Sequence, residues 1–171
     1  AAAGLLNKVT EIVKVYGNEF TVATVGTIKV TPHSVNVIPG TCTFSLEIRD
    51  QSAEVMKLIE NHLRRLLEDI CKKYGVTSTF VPTSYHDPAP MSELVRGTIE
   101  EAVKELGIDY IVIPSGAFHD SLIMTSVFPT GMIFVPSKDG ISHSRYEYTA
   151  PEDIENGCNV LLNTVLKLDE K

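Results

Sequence analysis

Two histidines in loops rich in glycine and serine are the residues of this sequence best suited to chemistry. His119 lies in Ser-Gly-Ala-Phe-His-Asp, and His143 lies in Gly-Ile-Ser-His-Ser. Each loop follows a short apolar run, 110–113 or 132–135, of the kind that predicts a strand buried on both faces. Polar side chains at the ends of such strands commonly form sites in α/β folds. We therefore expect part of a functional site in these two loops.

The imidazole of His143 could bind zinc or a related metal ion if its second ring nitrogen is held in place. A hydrolytic metal site needs two or more further His, Asp or Glu ligands and a carboxylate base. The sequence contains no HExxH, HxD or CxxC pattern, so such ligands cannot be recognised in it. Taken alone, His143 fits a loop histidine that hydrogen-bonds its neighbours better than a metal ligand.

His119 could serve a different chemical role. Its imidazole, like the backbone N–H groups of the loop, could donate a hydrogen bond to an oxyanion that develops during a reaction. Alternatively, Asp120 caps a helix and His119 is its solvated neighbour. The residue types leave both interpretations open.

Arg49 and Asn36 are candidates for holding a ligand that carries a carboxylate. Arginine binds carboxylates through a planar, two-pronged contact that lysine cannot copy, and asparagine offers both a donor and an acceptor. The alternatives are a surface ion pair between Arg49 and a neighbour such as Asp50, and a turn at Asn36. From residue types alone, these alternatives are favoured.

The elements of the first half are predicted from hydrophobic periodicity. They are, in order, a helix ending at Tyr16, strands at 20–30 and 41–49, a helix capped by Ser52 and ending at Tyr74, and a strand at 76–81. Apolar and polar residues alternate in the second strand, so Arg49 projects from the open face of the sheet. This order predicts a small α+β unit with an antiparallel sheet and two helices on one face of it.

The second half begins after residues 82–90, which hold three prolines and mark the best domain boundary. Beyond them, Ser92 caps a helix ended by Gly107, and the last helix begins with a capping box from Thr149 to Glu152. The predicted buried face of that last helix consists of Ile154, Cys158, Leu161, Val165 and Leu168. Together with the two buried strands this half is α/β, but two strands are too few for an independent parallel sheet.

Composition restricts the partners of the protein. The chain has 171 residues, a net charge of −7 and no uninterrupted apolar run of membrane-spanning length, which argues against nucleic acid and membranes as main partners. Its three cysteines have neither disulfide-framework nor zinc-finger spacing, which favours a reducing cytoplasm. The first helix lacks a capping side chain at residues 1–3, so we expect the chain to be a piece of something longer.

Five segments together resemble a known family. They are Pro-Ser-Gly-Ala-Phe-His-Asp at 114–120, Gly-Met-Ile-Phe-Val-Pro-Ser at 131–137, Asp-Gly-Ile-Ser-His-Ser at 139–144 with Glu147, Asn-Val-Ile-Pro-Gly at 36–40, and the strand that ends at Arg49. Over essentially its whole length, the chain is similar to the N-carbamoyl-L-amino-acid hydrolase and allantoate amidohydrolase (hydantoinase/carbamoylase) family. That family belongs to the di-metal aminoacylase and peptidase superfamily.

The resemblance implies a lid or dimerisation domain at 1–84 that lacks its first strand, a hinge linker at 85–90, and the C-terminal segment of the catalytic domain at 91–171. In the family, a pair of divalent metal ions (Zn, Mn, Co or Ni) activates a bridging water that attacks a carbamoyl or ureido carbon, and lid closure completes the site. The N-terminal half of the catalytic domain would carry most metal ligands and the general base. This chain alone is therefore expected to bind no metal firmly and to be inactive.

The resemblance also implies roles for individual residues. His143 matches the last metal ligand, and His119 matches a catalytic contact to the substrate or to its oxyanion. Asn36 and Arg49 match lid residues that hold the carboxylate and neighbouring polar groups of the substrate.

Two positions depart from the pattern of the family. Phe118 stands where the family usually has glycine, at a point of close substrate approach, and would narrow the pocket or change the path of its backbone. Arg145 stands where proline is usual, just after the ligand histidine.

The resemblance thus implies a metal-dependent amidohydrolase that acts on N-carbamoyl-L-amino acids or allantoate-like ureides. Its partners would be a small ureide substrate bearing a carboxylate, a second copy in a homodimer, and the N-terminal half of the catalytic domain. Two alternatives stay open: an N-acyl-amino-acid or peptide hydrolase of the same superfamily, and a dimerisation module without catalysis.

Overall fold

The computed structural model describes residues 1–170; Lys171 lies outside the described residues. The chain divides into two units, Ala1–Pro88 and a second that begins at Ala89. The elements are α1 (Ala2–Tyr16), β1 (Val22–Thr24), β2 (Ile28–Thr31), β3 (Thr41–Phe44), β4 (Glu47–Arg49), α2 (Ala53–Tyr74), α3 (Glu93–Glu105), α4 (Asp120–Met124), a 3₁₀ turn (Lys138–Gly140) and α5 (Pro151–Asp169). Helices combined with small antiparallel sheets confirm the predicted mixed α/β class.

Helices α1 and α2 form the core of the first unit. Leu5 and Val9 of α1 are buried together with Ile59, Leu63 and Ile70 of α2. Within each helix these residues recur at intervals of four or seven, which places them on one face. The inner face of the sheet packs against this cluster, so both helices lie on one sheet face, as the element order predicts.

The ends of α2 are set by the two residues that the sequence singles out. The Ser52 hydroxyl accepts a hydrogen bond from the Val55 N–H at 3.3 Å and caps the N-terminus. Gly75 adopts a left-handed backbone with φ 64° and closes the C-terminus. The predicted bounds of this helix are confirmed.

Two short antiparallel ladders of the first unit lie on either side of a bulge. Strand β1 pairs with β4 and β2 pairs with β3. The Ser45 N–H donates to the Thr27 carbonyl at 3.1 Å, so Val25 and Gly26 lie opposite the single residue Leu46. Such a two-against-one arrangement is a β-bulge, which interrupts the ladder. It divides each of the two strands predicted in this region into two shorter ones.

The bulge reverses which residues of the first strand face the helices. Before it, Ala23 is half-buried and pairs with Ile48; after it, Val30 is half-buried and pairs with Cys42. The partner strand contains no extra residue, and its predicted alternation from Cys42 to Arg49 is confirmed. Arg49 consequently lies on the open face of the sheet.

The strand predicted at 76–81 is not formed, which corrects that prediction. The residues are irregular in the structure, and Val81 is 68% exposed. A strand needs a neighbour that takes up its N–H and C=O groups, and each described ladder joins only two strands from elsewhere in this unit. The segment is held instead by a side chain, because the Arg64 guanidinium lies over the Phe80 ring at 3.6 Å.

The second unit is built on the packing of α3 against α5. Thr98 and Ala102 of α3 and Val160 and Thr164 of α5 are buried. The Thr164 hydroxyl donates to the Val160 carbonyl at 2.7 Å, so this polar group is satisfied within its own helix. The predicted N-cap of α3 at Ser92 is confirmed.

Neither apolar run of the second unit forms a strand, which corrects the prediction of two strands buried on both faces. In the part of the chain that the structure describes, 110–113 and 132–135 belong to no ladder. Ile111 and Val112 are 79% and 62% exposed. Each run lacks a pairing neighbour within residues 1–170, and an apolar sequence cannot by itself supply one.

The run at 132–135 nevertheless lies close to both helices. A Cβ added to Gly131 would lie 2.7 Å from Val95 Cγ1 of α3. A Cβ added to Gly157 of α5 would lie 2.6 Å from Val135 Cγ1. These two glycines permit an approach that any larger residue would prevent.

Two predictions for α5 are wrong. The helix begins at Pro151, so Ala150 is its N-cap, no side chain caps it, and Thr149 forms no capping box. The buried residues Val160 and Thr164 lie on a different face from the one predicted. Of the predicted face, Leu161 is 56% exposed, because the helix packs on α3 through its smaller and more polar side.

No helix between residues 1 and 170 combines the length and the apolar character that crossing a membrane requires.

Candidate functional site

His143 lies in a loop closed by backbone hydrogen bonds. The Lys138 N–H donates to the Tyr148 carbonyl at 2.8 Å, which joins the two ends of the loop. His143 itself has φ 55°, in the left-handed region that residues other than glycine rarely adopt. Backbone strain of this kind is concentrated at functional sites, which makes His143 a candidate functional residue.

The side chain of His143 is exposed and held from its backbone side. The backbone N–H of His143 donates to Glu147 Oε2 at 2.8 Å, which stabilises the left-handed conformation. The Ser142 hydroxyl lies 3.1 Å from Nδ1 of the ring, so Nε2 is the nitrogen that a metal ion could take. The same contacts agree with the simpler interpretation, in which His143 is a loop histidine that only hydrogen-bonds its neighbours.

The described residues do not form a metal site by themselves. Among residues 1–170 no group of three or more His, Cys, Asp or Glu side chains is close enough to hold a metal ion. Since structural and catalytic zinc sites take three or four protein ligands, one imidazole is not sufficient.

His119 is the N-cap of the short helix α4. Its Nδ1 accepts a hydrogen bond from the Ser121 N–H at 3.0 Å and lies 2.8 Å from the Ser121 hydroxyl. The alternative in which Asp120 caps the helix is therefore wrong, because Asp120 is already its first residue. With Nδ1 acting as acceptor, the neutral ring carries its proton on Nε2, which can donate to a ligand.

Arg49 and Asn36 both engage neighbours in the first unit. Arg49 Nη2 donates to Glu47 Oε2 at 2.9 Å; this bond raises the pKa of the Arg49 guanidinium, and slight burial opposes it. The guanidinium is thus a permanent cation, paired with Glu47 where the sequence suggested Asp50. Asn36 is exposed, and its Oδ1 accepts from the Ser34 hydroxyl at 2.7 Å.

Phe118 and Arg145, at which the resemblance implies other residue types, are surface residues of the second unit. Phe118 is 57% exposed and directly precedes His119. The Arg145 guanidinium lies 4.7 Å from the centre of the Tyr146 ring and also bonds its hydroxyl.

The candidate residues fall into two groups. Asn36 and Arg49 belong to the first unit, and His119 and His143 belong to the second.

A comparison with protein families decides which family the chain represents. The model of peptidase family M20/M25/M40 matches residues 2–167. The chain belongs to this family. The resemblance to the N-carbamoyl-L-amino-acid hydrolase and allantoate amidohydrolase group within the M20/M25/M40 family is confirmed as well, by the individual relatives.

Three relatives illustrate the similarity. An N-carbamoyl-L-amino acid amidohydrolase of Geobacillus stearothermophilus is 38% identical over 98% of this chain and 41% of its own length. An allantoate amidohydrolase of Bacillus subtilis is 34% identical over 85% of this chain and 35% of its own length. The crystal structure of a hydantoinase/carbamoylase family amidase from Burkholderia multivorans superposes with a TM-score of 0.87, at 34% identity, over 97% of this chain and 40% of that one. The chain thus spans about two fifths of the length of the M20/M25/M40 family members that it matches.

Residue types alone do not reveal the hydrogen bonds accepted by the carboxylate of Asp50, the residue that follows Arg49. Its Oδ1 accepts from the Ser52 N–H at 2.7 Å and from Asn18 Nδ2 at 3.2 Å, and its Oδ2 accepts from the Thr21 hydroxyl. The signal that could have found it is the spacing of Asp50 and Ser52, since an aspartate often bonds the N–H two residues further on.

Proposed function

We propose that this chain is the lid and the C-terminal catalytic segment of a metal-dependent amidohydrolase. The enzyme would cleave the carbamoyl or ureido C–N bond of N-carbamoyl-L-amino acids or allantoate-like ureides. The observation that carries the proposal is the loop of His143, in which an exposed histidine has a left-handed backbone conformation that residues other than glycine rarely adopt. The relatives named as N-carbamoyl-amino acid and allantoate amidohydrolases support the class of substrate.

The domain assignment is part of this proposal. Residues 1–84 would form the lid, 85–90 the hinge linker and 91–171 the catalytic segment. The division into units between Pro88 and Ala89 supports a hinge at this point. So does the proline content of the linker, because proline interrupts both helices and sheets.

The catalytic metal ions would belong to the complete enzyme. His143 would contribute one imidazole to a pair of divalent ions (Zn, Mn, Co or Ni), and the N-terminal half of the catalytic domain would contribute the other ligands. This chain alone would accordingly hold no metal firmly and would be inactive.

The substrate would be held at both of its ends. Arg49 and Asn36 would bind its carboxylate and neighbouring polar groups, for which a permanent planar cation is suited. His119 would donate from Nε2 to the oxygen that becomes negative at the scissile group. Phe118, next to His119, would narrow the pocket at this end.

Two polypeptide partners would also contact this chain: a second copy of the enzyme and the N-terminal half of the catalytic domain. We infer a homodimer formed with the lid, and an N-terminal catalytic half that supplies strands beside 110–113 and 132–135. The exposure of these apolar runs supports the second partner, since unpaired backbone and apolar surface favour association.

The test is the turnover of two substrate classes by the complete protein that contains this chain. Turnover of the ureides is measured as ammonia, and turnover of N-acetyl-L-amino acids, which release no ammonia, is measured as free amino acid. With added manganese or zinc, we expect turnover of N-carbamoyl-L-amino acids or allantoate, and much slower turnover of N-acetyl-L-amino acids. The opposite preference would identify an N-acyl-amino-acid hydrolase. No turnover of either class with either metal would favour a dimerisation module.

A further inference from the structure

The carboxylate of Asp50 joins three elements of the first unit. Asn18 lies in the turn after α1, Thr21 directly precedes β1, and Ser52 caps α2; all three donate hydrogen bonds to Asp50. Hydrogen bonds to a charged acceptor are stronger than bonds between neutral groups. Asp50 therefore ties the ends of two helices to the end of the sheet.

The surroundings of this carboxylate leave little room for movement. Thr21 is only 9% exposed, and its Oγ1 also accepts from the Asn18 N–H at 2.7 Å. A Cβ added to Gly17 would lie 2.8 Å from Thr21 Cβ, so the turn is closely packed. A donor network packed in this way fixes the position of the backbone at Asp50.

Arg49 depends on this backbone position, because it is the last residue of β4. Its pairing with Val22 is the final step of the ladder, and the next residue along the chain is Asp50. On one side Arg49 is held by the ladder, and on the other by the bonds of Asp50 to the helices. The Glu47 carboxylate on the same face bonds the guanidinium but does not fix the strand end.

We propose that Asp50 is a positioning residue that sets where Arg49 presents its guanidinium, and so sets the affinity for the substrate carboxylate. The inference rests on the proposed function of Arg49 as the carboxylate anchor. A misplacement of about 1 Å in a group that positions the substrate can cost on the order of 100-fold in kcat/KM. A role limited to capping and fold stability would instead change only the melting temperature.

The experiment is a double-mutant cycle in the complete protein. Asp50→Asn, Arg49→Lys and the double variant are compared for kcat, KM and melting temperature on an N-carbamoyl-L-amino acid, with binding of the same compound measured by calorimetry. We expect Asp50→Asn to raise KM about tenfold with kcat nearly unchanged, and to add little once residue 49 is already lysine. Thr21→Val, which removes one donor to Asp50, should shift KM in the same direction, and Thr21→Ser should restore it.

Ser45→Ala is the matched control, because Ser45 bridges to Thr27 at the bulge, away from Arg49; its KM should equal that of the unaltered protein. Additive effects in the double variant, or a loss confined to the melting temperature, would overturn the role of Asp50. An unchanged KM in Arg49→Lys would overturn Arg49 as anchor and this inference with it. Turnover of ureides by the unaltered protein tests the proposed function separately.

Discussion

Replacing His143 with alanine in the complete protein is expected to remove metal and to lower kcat/KM more than about 100-fold. Replacing even the outer partners of metal ligands costs about 10- to 100-fold in affinity or activity, and a ligand contributes more directly. The left-handed backbone of His143 is held by Glu147 and does not need the imidazole. The fold should therefore survive the substitution, and the loss should be specific to the metal. Metal content by mass spectrometry and ammonia release measure the two effects.

The matched control for this prediction is His62→Ala. His62 lies on α2, where its ring stacks on Tyr16 with the ring centres 3.7 Å apart, outside the proposed linker and both loops that carry the candidate histidines. Its replacement should leave metal content and rate within about twofold, as is usual away from a site. Full metal occupancy and full activity in His143→Ala would contradict the proposed role. His143 would then be a loop histidine bonded to its neighbours.

The second large effect is expected at His119, where two substitutions separate two roles. Asparagine is a good N-cap, so His119→Asn should keep the bond from Ser121 but lose the donor at Nε2. We expect kcat to fall about 100- to 1,000-fold, the usual cost of losing one oxyanion donor, with KM and melting temperature nearly unchanged. Steady-state kinetics and thermal unfolding of the complete protein provide the measurement.

His119→Ala serves as the comparison, because it removes both the donor and the cap. It should show the same loss in kcat together with a loss of about 1 kcal/mol in the free energy of unfolding. If His119→Asn retained full kcat while His119→Ala was only less stable, His119 would be a capping residue and no more.

Local signals predicted the parts of the fold that depend on neighbours along the chain. The bounds of α2 follow from Ser52 and Gly75, whose capping acts within one turn of the helix. The alternation that places Arg49 on the open face follows from the two-residue period of a strand. In both cases the deciding contacts lie within a few residues.

The parts that sequence reasoning missed depend on distant partners. The apolar runs at 110–113 and 132–135 have the composition of buried strands, but pairing is decided by a neighbouring strand that composition cannot reveal. The bulge opposite Leu46 is similar, because one extra residue on the first strand becomes visible only in the register. The buried face of α5 was misjudged because its partner α3 accepts small and polar residues, Val160 and Thr164.

In the candidate site, too, some features could be predicted from the sequence and others only from the folded structure. Residue types identified His119 and His143 as groups able to do chemistry, and the family resemblance supplied their expected roles. The structure added what determines their behaviour: His119 uses Nδ1 to cap a helix, and His143 has a left-handed backbone. It also revealed Asp50, whose three donors come from residues 18, 21 and 52 and converge only in the folded unit.

The most direct test is the anomalous scattering of crystals of the complete protein, grown with zinc or manganese and recorded at the absorption edge of that metal. For zinc, we predict an anomalous peak at about 2.0–2.1 Å from Nε2 of His143, the usual distance between zinc and a histidine nitrogen. Metal peaks whose coordination does not include His143, or an imidazole of His143 directed away from every peak, would contradict the account.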